Sequence, residues 1–255
     1  MKLATWNVNS LKVRLPQVVD WLHAHQPDVL CLQETKLTDE NFPQNEIAEA
    51  GYQSVFTGQK TYNGVAILSK KQGKEVLTAI PGFEDEQQRV ISATFDECRI
   101  ICIYVPNGEA VESKKFDYKL NWLQALAEWL RDELKTYPKL AVLGDYNIAP
   151  DDRDVYDPKL WAGKVLCSQA ERDFFDKLLN LGFKDSFRLF DQPEKTYSWW
   201  DYRMLAFRRN RGLRIDHILL SKELADHCSA CHIDKATRKL ERPSDHAPVI
   251  VELSR

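Results

Sequence analysis

The sequence predicts an α/β protein in which β-sheets pack together under an outer cover of helices, with strands of mixed direction. Roughly nine apolar runs of strand length, with few helical stretches between them, carry the first part of this expectation. No Gly/Ser linker, charge block or low-complexity segment divides residues 1–255, so a single domain is expected. Strand direction follows from polar residues at the ends of the runs. Asn7, Glu34, Tyr104 and Asp145 stand at or just beyond the C-terminal part of a run, whereas Asp216 and His246 precede theirs. If all of them meet in one cleft, the last two strands must point against the others, which excludes all-parallel sheets.

The elements follow in order. Leu3 to Val8 is the first strand-like run, and Leu15, Val18, Val19 and Leu22 then recur at helical spacing to make one apolar face. Val29 to Gln33, Val65 to Leu68, Val90 to Phe95 and Arg99 to Val105 are further strands. Leu120, Leu123, Ala127 and Leu130 mark a second helix, which must end before Pro138 because proline clashes with the preceding turn. Leu140 to Leu143 reads as a strand. The capping box Ser168-x-x-Glu171 then opens a third helix that buries Phe174, Phe175, Leu178 and Leu179 and stops at Gly182. Ile215 to Leu220 and Val249 to Leu253 complete the set.

Composition narrows the function. The 255 residues are 44% hydrophobic and 29% charged, as in an ordinary globular chain. No apolar run approaches the ~18 residues of a membrane span. The first residues turn polar too early for a secretory signal, so a cytoplasmic location is expected. Lys and Arg number 35 against 38 Asp and Glu, for a net charge of −3. A globally basic nucleic-acid binder is thereby excluded, and a DNA reading needs a local patch. Of the cysteines Cys31, Cys98, Cys102, Cys167, Cys228 and Cys231, Cys31 and Cys102 lie within the strand-like runs above. His227-Cys228-Ser-Ala-Cys231-His232 lacks a second ligand pair at zinc-finger spacing, so plain thiols are expected.

The chemistry concentrates at a few positions. Asp145 and Asn147 are two residues apart, which at strand spacing aims both side chains the same way; Asn7 and Asn9 echo the pattern. An Asx-turn is the ordinary explanation of such a pair. Glu34 offers a hard oxygen ligand at the mouth of a buried strand, suited to Mg²⁺ or Mn²⁺ rather than Zn²⁺, the alternative being a solvated edge glutamate. Ser244-Asp245-His246 places an acid and an imidazole in a turn before the last strand. A carboxylate such as Asp216 can hold that imidazole for proton transfer or phosphate stabilisation, whereas His217 points to the opposite face. The basic patch lies between Lys195 and Arg214: Lys195, Arg203, Arg208, Arg209, Arg211 and Arg214 against Asp201 alone, interleaved with Tyr197, Trp199, Trp200, Tyr202 and Phe207. Cations that grip phosphates beside rings that occupy a base stack suit a duplex-distorting protein; a core aromatic strand followed by a solvated loop is the plainer reading.

Together these residues resemble the exonuclease III family of abasic-site endonucleases, in the endonuclease/exonuclease/phosphatase superfamily. The likeness runs from Lys2 to Leu253 and rests on Pro27-Asp28 through Gln33-Glu34-Thr-Lys36, Asp185-Ser-Phe-Arg188 with Tyr197-Ser-Trp199-Trp200, Asn210-x-Gly212-x-Arg214-Ile-Asp216-x-x-Leu-x-Ser221, Gly144-Asp145-x-Asn147 and Ser244-Asp245-His246. The resemblance implies a four-layer α/β sandwich, two mixed β-sheets packed face to face and flanked by helices. It also implies Mg²⁺-dependent DNA repair: cleavage 5′ to abasic sites in duplex DNA, 3′–5′ exonuclease action and removal of blocking groups from 3′ ends. Nothing in the sequence points beyond a monomer.

Carried onto matching positions, Glu34 is the implied principal metal ligand, with Asn7, Asp145, Asn147 and Asp245 as further contacts. Asp145 would deprotonate the attacking water, Asn147 would help to place it, and Tyr104 and His246, the latter held by Asp216, would contact the scissile phosphate. Trp199 and Leu213 match the pocket for an extruded abasic sugar, which flips out at lower cost than a paired nucleotide. Lys119 and the arginines Arg203, Arg208, Arg209, Arg211 and Arg214 would hold the DNA backbone. Leu189 stands where relatives commonly carry a basic residue, Leu213 where some have tryptophan, and Asn9 where some have aspartate. Two alternatives compete: a phosphoesterase acting on a non-DNA phosphate ester, and a non-catalytic DNA-binding module. The retained Glu34, Asp145, Asn147, Asp216 and His246 count against the second, since binding alone does not require them.

Overall fold

Lys2–Asn7 (β1) and Val29–Gln33 (β2) run parallel and are joined by the helix Leu11–His25 (α1). The computed structural model describes residues 1–254. After β2 come the short helix Gln44–Glu49 (α2) and the strands Gln53–Thr57 (β3), Val65–Ser69 (β4), Lys74–Leu77 (β5), Val90–Phe95 (β6) and Cys98–Tyr104 (β7). The long helix Lys114–Thr136 (α3) leads into Leu140–Asp145 (β8), then Pro158–Trp161 (α4), Gln169–Asn180 (α5) and Lys184–Asp185 (β9). Asp216–Leu220 (β10), Lys222–Asp226 (α6), Cys228–Ile233 (β11) and Val249–Leu253 (β12) complete the chain.

The strands form two sheets, ordered β11-β12-β1-β2-β4-β3 and β5-β6-β7-β8-β10-β9. Each is antiparallel except for one parallel pair, β1 with β2 and β7 with β8, and each of those pairs is a strand–helix–strand unit. Aligned on these units, the two sheets share one order, with β1 equivalent to β7 and β2 to β8. By register, Gln33 at the end of β2 corresponds to Asp145 at the end of β8, and Glu34 lies one residue beyond that position. The sequence echo between Asn7-x-Asn9 and Asp145-x-Asn147 does not follow this equivalence. The expected mixed sheets are present, and β10 and β12 oppose β8 and β1 as the polar residues required.

Period-two side-chain alternation sorts each strand onto two faces, and both are covered. Leu3, Cys31 and Ile67 of one sheet share a core with Ile91, Cys102, Leu143 and Ile218 of the other. On the outside, Ala4, Trp6, Leu30 and Leu32 meet Val18, Trp21 and Leu22 of α1, while Ile101, Ile103 and Val142 meet Trp122, Leu126 and Leu130 of α3 and Phe175 and Leu178 of α5. The result is the expected four-layer order of helix, sheet, sheet, helix. The capping box at Ser168 and Glu171 is formed as expected. The apolar runs of the sequence correspond to the central strands β1, β2, β4, β6, β7, β8, β10 and β12. The strands without such a run, β3, β5, β9 and β11, are the four sheet edges. An edge strand is half open to water and carries no continuous apolar signature.

Candidate active site

The site forms where β1, β2, β7 and β8 end and where the turns before β10 and β12 return. Pairing register places Asn7 beside Gln33, Tyr104 beside Asp145, and Asp145 beside Asp216. The chain leaves these strands in left-handed conformation at several non-glycine residues: Asn9 (φ 44°), Ser10 (φ 93°), Glu34 (φ 53°), Lys36 (φ 56°) and Asn147 (φ 49°). Such backbone is unfavourable and persists only where its surroundings hold it. Here Ser10 N–H donates to Glu34 O (2.8 Å), Leu11 N–H to Thr35 O (3.0 Å) and Lys36 N–H to Asn63 O (2.9 Å). Gly64 lies directly alongside at φ 89°, where a Cβ would meet Thr35 Oγ1 at 2.2 Å.

Glu34, Asp145 and His246 bring one ligand-type atom each to within 4.8 Å of one another. Asn7 ties the two acids together, donating through Nδ2 to Glu34 Oε1 and Asp145 Oδ2, each at 2.9 Å. Its Oδ1 accepts from Asn9 N–H at 3.0 Å, so Asn7 meets the acids through its nitrogen rather than its oxygen. Lys36 Nζ lies 2.9 Å from the other Glu34 oxygen and also reaches Asn9 Oδ1. Two carboxylates converging on a polar, cation-bearing recess make a hard donor set, which fits a divalent ion such as Mg²⁺ or Mn²⁺. Burial pushes Asp145 up to about 7; the His246 charge pulls it down, Asp216 raises it, and hydrogen bonds from Asn7 and the Asn147 N–H lower it. Tyr104, half-buried beside them, has its phenol raised well above the usual range, first by burial and then by the Glu34 and Asp145 charges. It stays a neutral O–H donor.

Asp216 and His246 form a buried dyad, with Nδ1 at 2.9 and 3.0 Å from the two carboxylate oxygens. Ser198 Oγ donates to Asp216 Oδ2 (2.6 Å) and accepts the backbone N–H groups of Ile215 and Asp216, which fixes the carboxylate from behind. Burial alone would lower the imidazole; the Asp216 and Asp145 carboxylates outweigh it and push it up to about 10. His246 is thus an imidazolium at neutral pH, with Nε2 3.8 Å from Asp145 Oδ2. A protonated imidazole does not ligate a metal but does stabilise phosphate charge. His217 faces away, as its position requires: Nδ1 contacts Arg214 and Nε2 contacts Ile148 O.

The remaining expected residues divide. Asn147 is buried near Asp145, its N–H donating to Asp145 Oδ1 (2.9 Å), but its side chain donates to Val105 O and accepts from Asn107 Nδ2. Asp245 is outside the Glu34–Asp145–His246 group, accepting from Asn9 Nδ2 and Trp199 Nε1, each at 3.0 Å. It connects to Glu34 through Asn9 and Lys36. Lys119 needs correction: it is fully buried against Glu171 and cannot touch a DNA backbone. Arg214 is also buried, between Asp154 and Asp185, while Arg203, Arg208, Arg209 and Arg211 are exposed. Tyr197 and Trp200 belong to the core between the sheets, so the plainer reading holds for them. Trp199 is half-exposed and its backbone pairs with Leu213 and His246, which brings it to the site. Leu213 also differs from expectation: it is fully buried in an apolar cluster with Ala149, Val155, Leu166, Cys167 and Ile215, so it is not an open pocket wall.

Residues to which the sequence reading gave no role complete the arrangement. Lys36 adjoins Glu34, and its signal is that of a nearby cation. Ser198 and Ser244 stand inside the quoted motifs without a role of their own, and Asn107 carries no signal. Ser244 Oγ donates to Asn7 O (2.6 Å) and accepts His246 N–H (3.2 Å), joining the first strand to the last turn. Arg238 lies 5.1 to 5.9 Å from the rings of Phe207, Tyr202 and Trp200, and so anchors the base of the arginine-bearing loop.

Comparison with known proteins places this geometry. The family model described as the endonuclease/exonuclease/phosphatase family matches residues 4–246. Exodeoxyribonuclease III of Haemophilus influenzae is 37% identical over 265 aligned positions, covering 99% of each chain. Among solved structures, the 3′ phosphatase NExo from Neisseria, bound to a product DNA hairpin, superposes with a TM-score of 0.98 at 49% identity, covering 100% of both chains. An AP endonuclease from Archaeoglobus fulgidus gives a TM-score of 0.96 at 36% identity, again over 100% of both.

Proposed function

Since the chain belongs to the endonuclease/exonuclease/phosphatase family, we propose that it is a DNA-repair phosphodiesterase that hydrolyses strands at 3′ ends and 5′ to abasic sites, using Mg²⁺ or Mn²⁺. The observation that carries this is the convergence of Glu34, Asp145 and an imidazolium His246 in one recess beside an exposed arginine loop. Acids alone would suit a cation site. An acid pair with a buried positive imidazole next to it suits a phosphodiester, which needs both a base for water and a cation for its oxygens.

Glu34 and Asp145 would hold the metal ion, with Asn7 keeping their carboxylates in register. When bound, the ion would polarise the phosphate and lower the energy of the developing charge. Asp145, its oxygens oriented by Asn7 Nδ2 and the Asn147 N–H, would accept the proton of the attacking water. His246 Nε2–H and the neutral Tyr104 hydroxyl would donate to phosphoryl oxygens as negative charge grows. Asp216 keeps the imidazole protonated and oriented. Arg203, Arg208, Arg209 and Arg211 would grip the strand, and Trp199 would stack beside the 3′ nucleotide or abasic sugar. The burial of Leu213 in a filled apolar cluster favours work on 3′ ends over capture of an extruded sugar.

The reading takes residues 1–255 as one catalytic unit acting as a monomer. Six free thiols suit the reducing cytoplasm. No helix among the described residues is long and apolar enough to cross a membrane. The test is cleavage of duplexes carrying a 3′-recessed end, a 3′-phosphate or an abasic-site analogue, with Mg²⁺ or EDTA. Cleavage of the 3′ substrates that EDTA abolishes is expected. Inactivity on all three, or activity insensitive to EDTA, overturns the proposal.

A further inference from the structure

Lys119 on α3 and Glu171 on α5 are both fully shielded from water and form an ion pair. The ammonium group has three protons and three partners: Glu171 Oε1, the carbonyl of Asn107 (3.1 Å) and the carbonyl of Asn147 (2.7 Å). Glu171 is equally committed. Its Oε1 accepts Leu166 N–H (3.0 Å), and its Oε2 accepts Ser168 N–H (3.0 Å) and Ser168 Oγ (2.6 Å).

We propose that Lys119 and Glu171 are positioning residues for Asn147, acting through the carbonyls of the two loops that meet at its side chain. This rests on the role that the family resemblance implies for Asn147, helping to place the attacking water beside Asp145. Asn107 and Asn147 touch through their own amides, Asn107 Nδ2 to Asn147 Oδ1 at 3.1 Å, while Asn147 Nδ2 donates to Val105 O at 3.0 Å. Fixing both peptide carbonyls therefore fixes both ends of that amide contact. The loop after Asp145 needs such support because Asn147 is left-handed at φ 49°. The next carbonyls are held as well, Ile148 O by His217 Nε2 (2.8 Å) and Ala149 O by Arg172 Nε (3.2 Å). The pair is not needed to join the helices, since Trp122, Leu126, Phe175 and Leu178 share an apolar core. A buried ion pair is weak evidence of net stability, yet one whose ammonium spends its remaining hydrogen bonds on site loops carries directional information.

The double variant Lys119→Met/Glu171→Gln removes the pair without stranding a charge, and Lys119→Leu/Glu171→Gln is a second variant that is equally free of a buried charge. In a 3′-recessed duplex assay, kcat of the folded double variant is expected to fall about hundredfold with KM within about threefold. Asn147→Ala is then expected to lower kcat far less in that background than in the natural chain, because the two changes act on one element. Retained kcat in a folded variant, or an equal Asn147→Ala effect in both backgrounds, overturns the proposal. Nuclear magnetic resonance gives a readout independent of activity. The Asn147 side-chain amide signals should shift and exchange faster in either variant while those of Asn7 stay in place; unmoved Asn147 signals overturn the proposal even if the nuclease reading itself has failed. Should the first double variant not fold, Lys119→Leu/Glu171→Gln carries the same comparisons with the same outcomes.

Discussion

Asp216→Asn keeps the size of the side chain next to His246 and removes its charge. In the natural chain that charge lies 2.9 to 3.0 Å from Nδ1, in a setting closed to water. At an effective dielectric constant near 20, a unit pair at that distance is worth about 5 kcal/mol. That corresponds to about four pKa units, enough to bring an imidazole from about 10 to its ordinary range or below. At pH 8 the protonated fraction would then fall from nearly all to a few per cent, a drop of about thirtyfold or more in a rate that needs the imidazolium. At pH 5.5 most of the variant would be protonated again, so the ratio of natural to variant rate should shrink steadily as pH falls. Single-turnover cleavage of a 3′-recessed duplex across this range measures that ratio, and the His246 ring signals report its titration directly. A pH-independent ratio, or a natural His246 titrating near 6.5, would refute the reasoning. The raised value has a stability consequence of definite sign. The proton-linked contribution of His246 is full below its unfolded value near 6.5 and is lost as pH rises through about 10, so the variant should melt below the natural protein at pH 7 and approach it in alkali.

Asp145 has the opposite effect near neutrality: a carboxyl raised to about 7 disfavours its own ionised form, so stability falls as pH rises from the unfolded value toward 7. Asp145→Asn should stabilise the metal-free protein by about 2 kcal/mol, less when Mg²⁺ is added, while abolishing turnover; thermal melts with and without EDTA check this. Glu34→Gln should raise the Mg²⁺ concentration needed for half-maximal rate about tenfold or more, read from a metal titration. Alanine at Arg208, Arg209 or Arg211 should raise KM with little change in kcat, and each phosphate no longer neutralised should reduce the salt slope of DNA binding by about one. Arg214→Met should behave differently despite its place in the same segment: it leaves Asp154 and Asp185 buried without their guanidinium, costing about 3–5 kcal/mol of stability with no change in that slope.

The candidate site is legible in the sequence where chemistry and strand ends coincide. Glu34, Asp145, Asp216 and His246 stand out because a polar residue ending an apolar run is conspicuous, and their opposite placement implies the antiparallel partners that β10 and β12 provide. The edge strands β3, β5, β9 and β11 leave no such mark because water, not core, takes one of their sides. Lys119 misleads for a related reason. On the helix its spacing is that of Phe116, Leu123 and Leu126, the buried face, yet a lysine in isolation reads as exposed until its partner is known. That partner is 52 residues away on another helix.

By itself, then, the order of residues determined the layering, the mixed strand directions and the identity of the acids and imidazole, since these depend on hydrophobic period and side-chain type, which are local. Tertiary structure alone decided which cations face solvent, that Asn7 turns its amide nitrogen to Glu34 and Asp145, and that His246 is positive. Those properties arise from distances of a few ångströms and from exclusion of water, and both exist only once strands far apart in the chain have been brought side by side.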